Sequence, residues 1–359
     1  MQAYLDCRRH KRNSTSALAF ESELERNLVE LRDELLAGTY RPGRSICFVI
    51  THPKPREVWA AEFRDRVVHH LLYNRIAPRI EASFDVGSCA CIRGRGTLYA
   101  VRRLERAVRS VTQNWSRPAW YLKCDLANFF VAIDKSTLFA QLAPRIEGAW
   151  WQQLAQTILF HDPRHDVEVR GSRELLGRVP PHKSLFNAPP DTGLPIGNLS
   201  SQFFANVHLD ALDQHVKHQL RMRHYVRYVD DFLLLHEDRE RLAAALADIN
   251  AFLPERLKSR LNPAKTILQP VGRGIDFVGQ VVKPWRTTPR RRIVAHALRR
   301  IECIEADEVR QTVNSYLGLV GQSNHGHQAK VRLCRAAQRR GHSIAGDLSR
   351  VIPPNGLKA

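Results

Sequence analysis

Apolar positions recur along the chain with two periods, and the change of period separates predicted helices from predicted strands. Four leucines from Leu24 to Leu35 follow one another at intervals of 4, 3 and 4 residues, which places them on one helix face. Gly38 is positioned to end that helix, because Gly readily takes the left-handed conformation common at helix C-termini. Residues 44–80 begin with β-branched positions and pass through a proline-containing turn, which predicts strand, turn, strand and helix.

From Trp120 onward, short apolar strands alternate with helical segments. A polar, proline-rich insertion at residues 161–193 interrupts this alternation. The helix after the insertion has Asn198 or Ser200 as its predicted N-cap, since side-chain oxygens there accept hydrogen bonds from the first free amides. This middle part of the chain therefore predicts a sheet backed by helices, an α+β arrangement.

Two adjacent aspartates interrupt an apolar run near residue 230. The flanking residues predict two short strands, His224–Tyr228 and Phe232–His236, with Val229, Asp230 and Asp231 in the turn between them. Asp125 ends another apolar strand 105 residues before Asp230. Asp is common in surface turns, so an isolated Asp-Asp pair is more often a turn cap than a functional site.

Charge and cysteine content narrow the class of partner. The chain has 359 residues and a formal net charge of +19, which favours a polyanion such as nucleic acid. Residues 281–359 contain 15 Lys or Arg and only 5 Asp or Glu. A basic arm at Arg8–Asn13 is either a solvated terminus or a nucleic-acid contact. The seven cysteines never show C-x-x-C spacing, which indicates neither a disulfide framework nor a zinc site.

No apolar run is long enough to span a bilayer, and the N-terminus has no signal-peptide pattern, so we expect a cytoplasmic protein without a membrane partner. Three carboxylates that converge from neighbouring strands suit Mg²⁺, which prefers hard oxygen ligands and binds through few carboxylates together with substrate phosphates. Two such ions activate a hydroxyl and stabilise a leaving group in phosphoryl chemistry. We therefore expect a site for two Mg²⁺ ions, with Mn²⁺ as the alternative metal.

Seven segments, in the order expected for that family, resemble the sequence boxes of reverse transcriptases. They are PKPREV, FRDRVVHHLL, DLANFF, LPIGNLSSQFFAN, YVDD, LNPAKT and GIDFVGQ. The resemblance covers roughly residues 17–335 and implies a right-hand polymerase fold, with a palm built on a small antiparallel sheet. It implies an N-terminal extension and fingers at 1–117, a palm at 118–280 with the insertion at 161–193, and a basic helical thumb at 281–359.

The resemblance also implies an activity, RNA-directed DNA polymerisation, and a role for each matched residue. Asp125, Asp230 and Asp231 bind the metal ions, and the backbone carbonyl of Leu126 assists. Lys265 is the implied acid that protonates pyrophosphate. The residues implied to form the dNTP pocket are Lys54, Arg56, Arg66, Phe130, Ile196, Gly197 and Gln202.

Within the pocket, Lys54 and Arg56 are implied to hold the incoming triphosphate, with help from Arg66. Phe130 is implied to exclude a ribose 2′-hydroxyl, although a core aromatic is the alternative. Arg66 and Lys265 have solvated surface positions as their alternative. Ile196 replaces a polar residue found elsewhere in the family, and an apolar pocket discriminates less sharply, so we expect low fidelity.

The pattern I-G-x-x-x-S-Q resembles the bacterial or phage-encoded reverse transcriptases of diversity-generating retroelements, and the absence of a maturase or endonuclease tail argues against an intron-encoded protein. This resemblance implies error-prone copying of a template RNA, an RNA/DNA hybrid in the cleft, dNTPs as substrates and a small basic accessory protein. The alternative is a reverse transcriptase of a phage-defence system or retron. A nucleic-acid-binding module with an inactive polymerase fold is a third possibility, against which the intact set of three aspartates argues.

Overall fold

The computed structural model describes residues 1–9, 14–52 and 54–352. Residues 10–13 of the basic arm and Pro53 of the predicted turn therefore lie outside the described residues. The helices are α1 (Gln2–Arg8), α2 (Thr15–Glu21), α3 (Leu24–Ala37), α4 (Phe63–Ala82), α5 (Thr97–Val111), α6 (Phe129–Ala132), α7 (Lys135–Leu142), α8 (Ala149–Phe160), α9 (Arg173–Gly177), α10 (Leu199–Gln214), α11 (Arg239–Leu257), α12 (Arg291–Cys303), α13 (Ala306–Gly321) and α14 (His327–Arg339).

The strands form four small sheets. They are β1 (Ser45–Ile50), β2 (Arg56–Ala61), β3 (Trp120–Asp125), β4 (Val167–Val169), β5 (His224–Tyr228), β6 (Asp231–His236), β7 (Ile267–Pro270), β8 (Ile275–Phe277), β9 (Gln280–Lys283), β10 (Arg286–Pro289), β11 (Ser343–Ile344) and β12 (Val351–Ile352). Their orders are β2-β1-β4, β5-β6-β3-β7, β10-β9-β8 and β11-β12. The sheets are mainly antiparallel and pack with the helices, which confirms the predicted α+β class.

Local sequence explains several of the element boundaries. The four leucines lie on α3, and Gly38 follows it in the left-handed conformation at φ 69°, as the spacing predicted. Asn198 is the N-cap of α10, but its side chain accepts from the backbone N–H of Ala61 at 3.1 Å and makes no hydrogen bond to its own helix. The predicted cap residue therefore ties α10 to the end of β2.

The central sheet, β5-β6-β3-β7, is antiparallel throughout and is buried on both faces. Side chains of one face, among them Leu122 and Phe232, join the main core with α4, α7, α10 and α11. The opposite face, including Leu233 and Leu235, packs against α5 and strands β8 and β9. Burial of alternate residues on two sides fixes the register, because a one-residue slip would exchange the two faces.

The insertion at residues 161–193 completes a second sheet. Its strand β4 pairs in parallel with β1, joining Ser45 to Val167, while β2 pairs with β1 antiparallel. Trp59 and Leu185 form a small core beneath this sheet with Cys47. The insertion thus contributes a strand to the sheet formed by the N-terminal strands β1 and β2, which we call the N-terminal sheet, although it lies in the middle of the sequence.

Helices α12, α13 and α14 surround a core of their own, which includes Val313 and Leu333. Their outward faces carry much of the positive charge of residues 281–359. Across the described ranges, no helix is both long enough and apolar enough to cross a bilayer. The boundaries proposed for fingers, palm and thumb stay predictions.

Candidate active site

The two central aspartates lie at the tip of a hairpin between β5 and β6. Tyr228 pairs with Asp231, so the turn contains only Val229 and Asp230. The two predicted strands are confirmed, but Asp231 is the first residue of β6 and does not lie in the turn. Val229 has a φ of 56°, a conformation that costs a β-branched residue roughly 1–2 kcal/mol.

The third aspartate lies directly beside this tip. Asp125 ends β3 and is the register partner of Asp231 on β6. The backbone N–H of Leu126 donates to the carbonyl oxygen of Asp230 at 3.2 Å, and the N–H of Asn262 donates to the carbonyl of Asp125 at 2.8 Å. The predicted carboxylates therefore lie together at one end of the two inner strands, β3 and β6, of the central sheet. Backbone hydrogen bonds fix the strand end that carries Asp125.

Two lysines neutralise these carboxylates. Lys265 Nζ donates to both carboxylate oxygens of Asp125, at 2.6 and 2.7 Å. Lys123 Nζ lies 3.0 Å from Asp231 Oδ2 and also donates to the backbone carbonyl of Asp276. Sequence reasoning identified Lys265 but missed Lys123. The signal was present, because Lys123 precedes Asp125 by two residues and alternate residues of a strand share a face.

The carboxylates are electrostatically coupled and poorly solvated. Burial, followed by the neighbouring Asp125, raises the pKa of Asp230, while Lys265 and Arg56 oppose that shift. Burial raises the pKa of Asp231 to about 6, against the opposing effect of Lys123. An acidic group whose pKa is raised in this way is typical of a functional site.

Asp231 Oδ1 is a buried acceptor without a hydrogen-bond partner in the described part of the chain. Buried polar atoms are nearly always satisfied, so an orphaned carboxylate oxygen fits a position where a cation binds. No group of three or more His, Cys, Asp or Glu side chains among the described residues is arranged to hold a metal as it stands. The donor chemistry of the aspartates fits Mg²⁺ or Mn²⁺, whereas the side chains of Asp231 and Asp125 are paired with Lys123 and Lys265.

The predicted triphosphate ligands occupy different positions. Arg56 begins β2, and its charge lowers the pKa of Asp230, which places its guanidinium within electrostatic reach of the aspartates. Arg66 lies on α4 and is partly buried, with its Nε donating to the carbonyl of Ala61 at 2.7 Å. Lys54 is exposed just before β2. The charge of Arg56 thus reaches Asp230, while Lys54 is exposed to solvent.

The remaining pocket residues lie on two segments, α6 and residues 194–202, which a backbone hydrogen bond joins. The half-buried Phe130 on α6 packs edge-on against Phe129, and its carbonyl accepts from the N–H of Leu194 at 2.7 Å. Ile196 is half-buried, and its carbonyl accepts from the N–H of Trp59 at 2.7 Å. Gln202 is exposed on the first turn of α10.

Gly197 allows a close approach between this segment and β2. Its φ is 130°, and a Cβ at that position would lie 2.7 Å from the carbonyl oxygen of Trp59. Any other residue would have to displace backbone, so the predicted pocket depends on glycine here. Sequence reasoning identified the position, although its steric reason depends on a strand about 140 residues earlier.

Comparison with known proteins gives the family. The model of the family described as reverse transcriptase (RNA-dependent DNA polymerase) matches residues 53–282. Protein YkfC of Escherichia coli (strain K12) is 24% identical over 293 residues, in an alignment that covers 72% of this chain and 72% of YkfC. A putative COX1/OXI3 intron 2 protein of Saccharomyces cerevisiae is 23% identical over 234 residues, covering 48% of this chain and 25% of the yeast protein.

Solved structures agree with the fold. A telomerase from Candida albicans, determined in complex with a TWJ fragment of telomeric RNA, superimposes with a TM-score of 0.50 and 12% sequence identity. The match covers 84% of this chain and 55% of the telomerase chain. This likeness supports the predicted right-hand polymerase fold and carries nothing further about activity.

The matched residues 53–282 make up more than half of the chain and include all three aspartates, strands β2 and β4 of the N-terminal sheet, and the hairpin. The enzyme class that the motifs implied, an RNA-directed DNA polymerase, is therefore confirmed at the level of the family. The chain belongs to the reverse transcriptase family of RNA-dependent DNA polymerases.

Proposed function

We propose that the protein copies RNA into DNA at the hairpin edge, with Asp125, Asp230, Asp231 and the carbonyl of Leu126 holding two Mg²⁺ ions. The observation that carries this proposal is the register pairing of Asp125 with Asp231 beside the Asp230 turn. The orphaned Oδ1 of Asp231 adds support. When bound, the two ions would activate the primer 3′-hydroxyl and stabilise the pyrophosphate leaving group.

The chain's own basic residues bind and orient the nucleotide. Arg56 offers a forked set of donors to the triphosphate close to Asp230, and Lys54 and Arg66 add further positive charge. Lys265 lies against Asp125 and is the proposed proton donor to pyrophosphate. Exposed arginines on α12 and α14 bind the phosphates of the template–primer hybrid without reading its sequence.

The pocket residues set selectivity. The ring of Phe130 excludes nucleotides that have a 2′-hydroxyl, which confines synthesis to dNTPs. Ile196 gives the pocket an apolar wall where a polar side chain would penalise a mispaired nucleotide, because unpaired buried polar groups disfavour misfits. Error-prone synthesis is therefore part of the proposal, with Ile196 as its determinant.

A primer-extension experiment tests the catalytic assignment. Purified protein with a primed RNA template, dNTPs and Mg²⁺ is expected to extend the primer, and Asp125→Asn is expected to abolish extension. Asp166→Asn is the matched control, since this exposed carboxylate forms a surface ion pair with Arg44. Equal extension by wild type and Asp125→Asn would contradict the proposed site.

Fidelity has a separate test. We expect Ile196→Gln to lower misincorporation opposite template adenines, measured by sequencing the cDNA, while extension of matched primers continues. An unchanged misincorporation spectrum would refute the role given to Ile196.

We propose further that this activity serves a diversity-generating retroelement, which is supported by the pattern I-G-x-x-x-S-Q at residues 196–202. Extension assays with and without the products of neighbouring genes test for the template RNA and for a small basic accessory protein. A nearby pair of repeats that differ at adenines is the expected genomic signature. A structured non-coding RNA without such repeats would favour the phage-defence or retron alternative instead.

A further inference from the structure

Arg227, which directly precedes the Tyr-Val-Asp-Asp motif, is completely buried, with 0% of its surface exposed. Its guanidinium makes five hydrogen bonds. Nε and Nη2 donate to the two carboxylate oxygens of Asp213 at 2.7 and 2.6 Å, and Nη2 also donates to Ser88 Oγ at 2.8 Å. Nη1 donates to Asn206 Oδ1 at 3.2 Å and to the backbone carbonyl of Val229 at 3.0 Å. All five N–H donors of the side chain are therefore used.

These partners come from separate parts of the chain. Asn206 and Asp213 lie on α10, whose N-terminus follows the proposed nucleotide pocket. Ser88 lies in the segment between α4 and α5, and this segment also pairs with the Arg227 backbone, because Cys89 N–H donates to the Arg227 carbonyl at 2.9 Å. The guanidinium thus joins α10 and a distant loop to the hairpin tip.

Val229, which accepts a hydrogen bond from Arg227 at the hairpin tip, has an unfavourable backbone conformation. Val229 is the first of two turn residues, and its φ is positive while that of Asp230 is not, the pattern in which hairpins ordinarily carry Gly. A β-branched residue persists in this conformation only where its surroundings hold it. The hydrogen bond from Arg227 to the Val229 carbonyl supplies such a hold, immediately before Asp230.

We propose that Arg227 is a positioning residue of the polymerase, which fixes the left-handed turn at Val229 and thereby the placement of Asp230. Asp213 is its counter-ion and orients the guanidinium fork. The proposal rests on the proposed function, since it requires Asp230 to act in catalysis. Lysine cannot replace the arginine, because an ammonium group lacks the planar fork that reaches Asp213 and Val229 together.

A comparison of two Arg→Lys variants tests this role. Arg145 pairs with the buried Asp210, which lies on α10 like Asp213, and its ion pair does not involve the hairpin. We expect Arg227→Lys to lower kcat for single-nucleotide extension about 100-fold with the dNTP KM within about threefold, as misplacement of a catalytic group does. Arg145→Lys is expected to keep kcat within about threefold of wild type. Circular dichroism and thermal melting establish that both variants fold.

A second variant addresses loss of folding. Arg227→Met combined with Asp213→Leu replaces the ion pair by apolar groups, a change that buried pairs commonly tolerate. We expect this double variant to fold and to lose kcat to the same extent as Arg227→Lys. A folded variant of either kind that retains kcat within threefold of wild type would overturn the proposal.

A rescue experiment separates positioning from a purely structural role. Glycine takes a positive φ without strain, so Val229→Gly makes the turn less dependent on its anchor. In the Arg227→Lys background, Val229→Gly is expected to restore kcat at least about tenfold, whereas in the native background it is expected to give no increase. The same effect in both backgrounds would contradict coupling between the two positions.

The outcomes also distinguish this inference from the proposed function. If wild-type protein incorporates no nucleotide on any primed RNA, with or without neighbouring gene products, the proposed function fails and the inference falls with it. If wild type is active and folded Arg227→Lys is equally active, only the role of Arg227 is refuted.

Discussion

Two hairpins in this protein contain turns with the same unfavourable backbone conformation, and the two turns are stabilised differently. The β5–β6 hairpin and the β9–β10 hairpin both reverse direction in two residues, and each places a bulky side chain at positive φ. The residues are Val229, with φ 56°, and Trp285, with φ 61°. Both turns therefore accept a backbone conformation that disfavours any residue with a branched or large side chain.

The two turns differ in what stabilises them. The carbonyl of Val229 accepts from the buried Arg227, and its side chain packs against the main core. Trp285 is 63% exposed. Pro284 precedes it as the second residue of the four-residue turn, where the fixed φ of proline is favourable. One turn depends on distant segments and the other on its own sequence. The turn held by tertiary contacts is the one that carries Asp230, which suggests that accurate placement matters there.

The largest expected contrast is in catalysis. Asp230→Ala should lower single-nucleotide extension at least about 1,000-fold, because it removes one of the proposed metal ligands where charge develops in the reaction. Trp285→Ala, at the other tip, should change kcat by less than about threefold. Rapid-quench primer extension measures both. A comparable loss for the two variants would show that the β9–β10 tip also belongs to the catalytic machinery.

The second contrast is in stability. Asp213→Ala leaves the buried Arg227 without its counter-ion and should lower the free energy of unfolding by about 3–5 kcal/mol. Asp276→Ala removes the partner of Arg290 next to the β9–β10 hairpin, where both side chains are partly exposed, and should cost about 1 kcal/mol or less. Urea denaturation gives both values, and similar costs would mean that the buried pair contributes little.

Low pH should also destabilise the main core more than the β9–β10 hairpin. Burial lowers the pKa of His69 to about 3 and that of His208 to about 4, and residues 275–289 contain no histidine. The unfolded chain binds protons below about pH 6.5 whereas these buried rings do not, so stability falls as pH decreases from 6.5 toward 4.

We expect roughly 1–2 kcal/mol of this loss from each histidine between pH 7 and pH 5, measured by urea denaturation. His208→Gln should reduce the loss of stability between pH 7 and pH 5 by the contribution of one histidine. His165→Gln, at a side chain that is 84% exposed, should leave it unchanged. If His208→Gln had no effect on the slope, acid destabilisation would have another origin.

The smallest contrast compares glycine at the two tips. Trp285→Gly removes left-handed strain and little packing, so stability should change by less than about 0.5 kcal/mol. Val229→Gly also removes a half-buried side chain and should cost about 1 kcal/mol more than Trp285→Gly. Thermal melting of the two variants measures the difference. A reversed order would indicate that Trp285 packs more firmly than its exposure implies.

Much of the hairpin and of its partner strand was predictable from local pattern. The alternation around residue 230 predicted both strands, and the apolar run before Asp125 predicted the third. The exact turn was not predictable, because the sequence Val-Asp-Asp suits a turn of two or three residues equally well. Pairing of Tyr228 with Asp231, which depends on the whole register with β3, decides between them.

The contacts that surround the aspartates depend on residues far apart in sequence. An arginine within a strand is ordinarily read as solvent-facing, and only the converging Ser88, Asn206 and Asp213 make a buried guanidinium tolerable. Lys265 was predicted as an acid, but its ion pair with Asp125 was not, since it requires the chain to return to β3 after 140 residues. Likewise, nothing local marks residues 167–169 as a strand, because β4 exists only through pairing with β1.

The position of β4 has a consequence for how the chain assembles during synthesis. Strand β1 leaves the ribosome early, yet one of its neighbours follows about 120 residues later, and β3 must wait for β6 and β7. Until then these nascent strands present unpaired edges, which are prone to pair with other chains. The slow step in producing active enzyme is therefore expected to be closure of these sheets, after residue 270 has emerged.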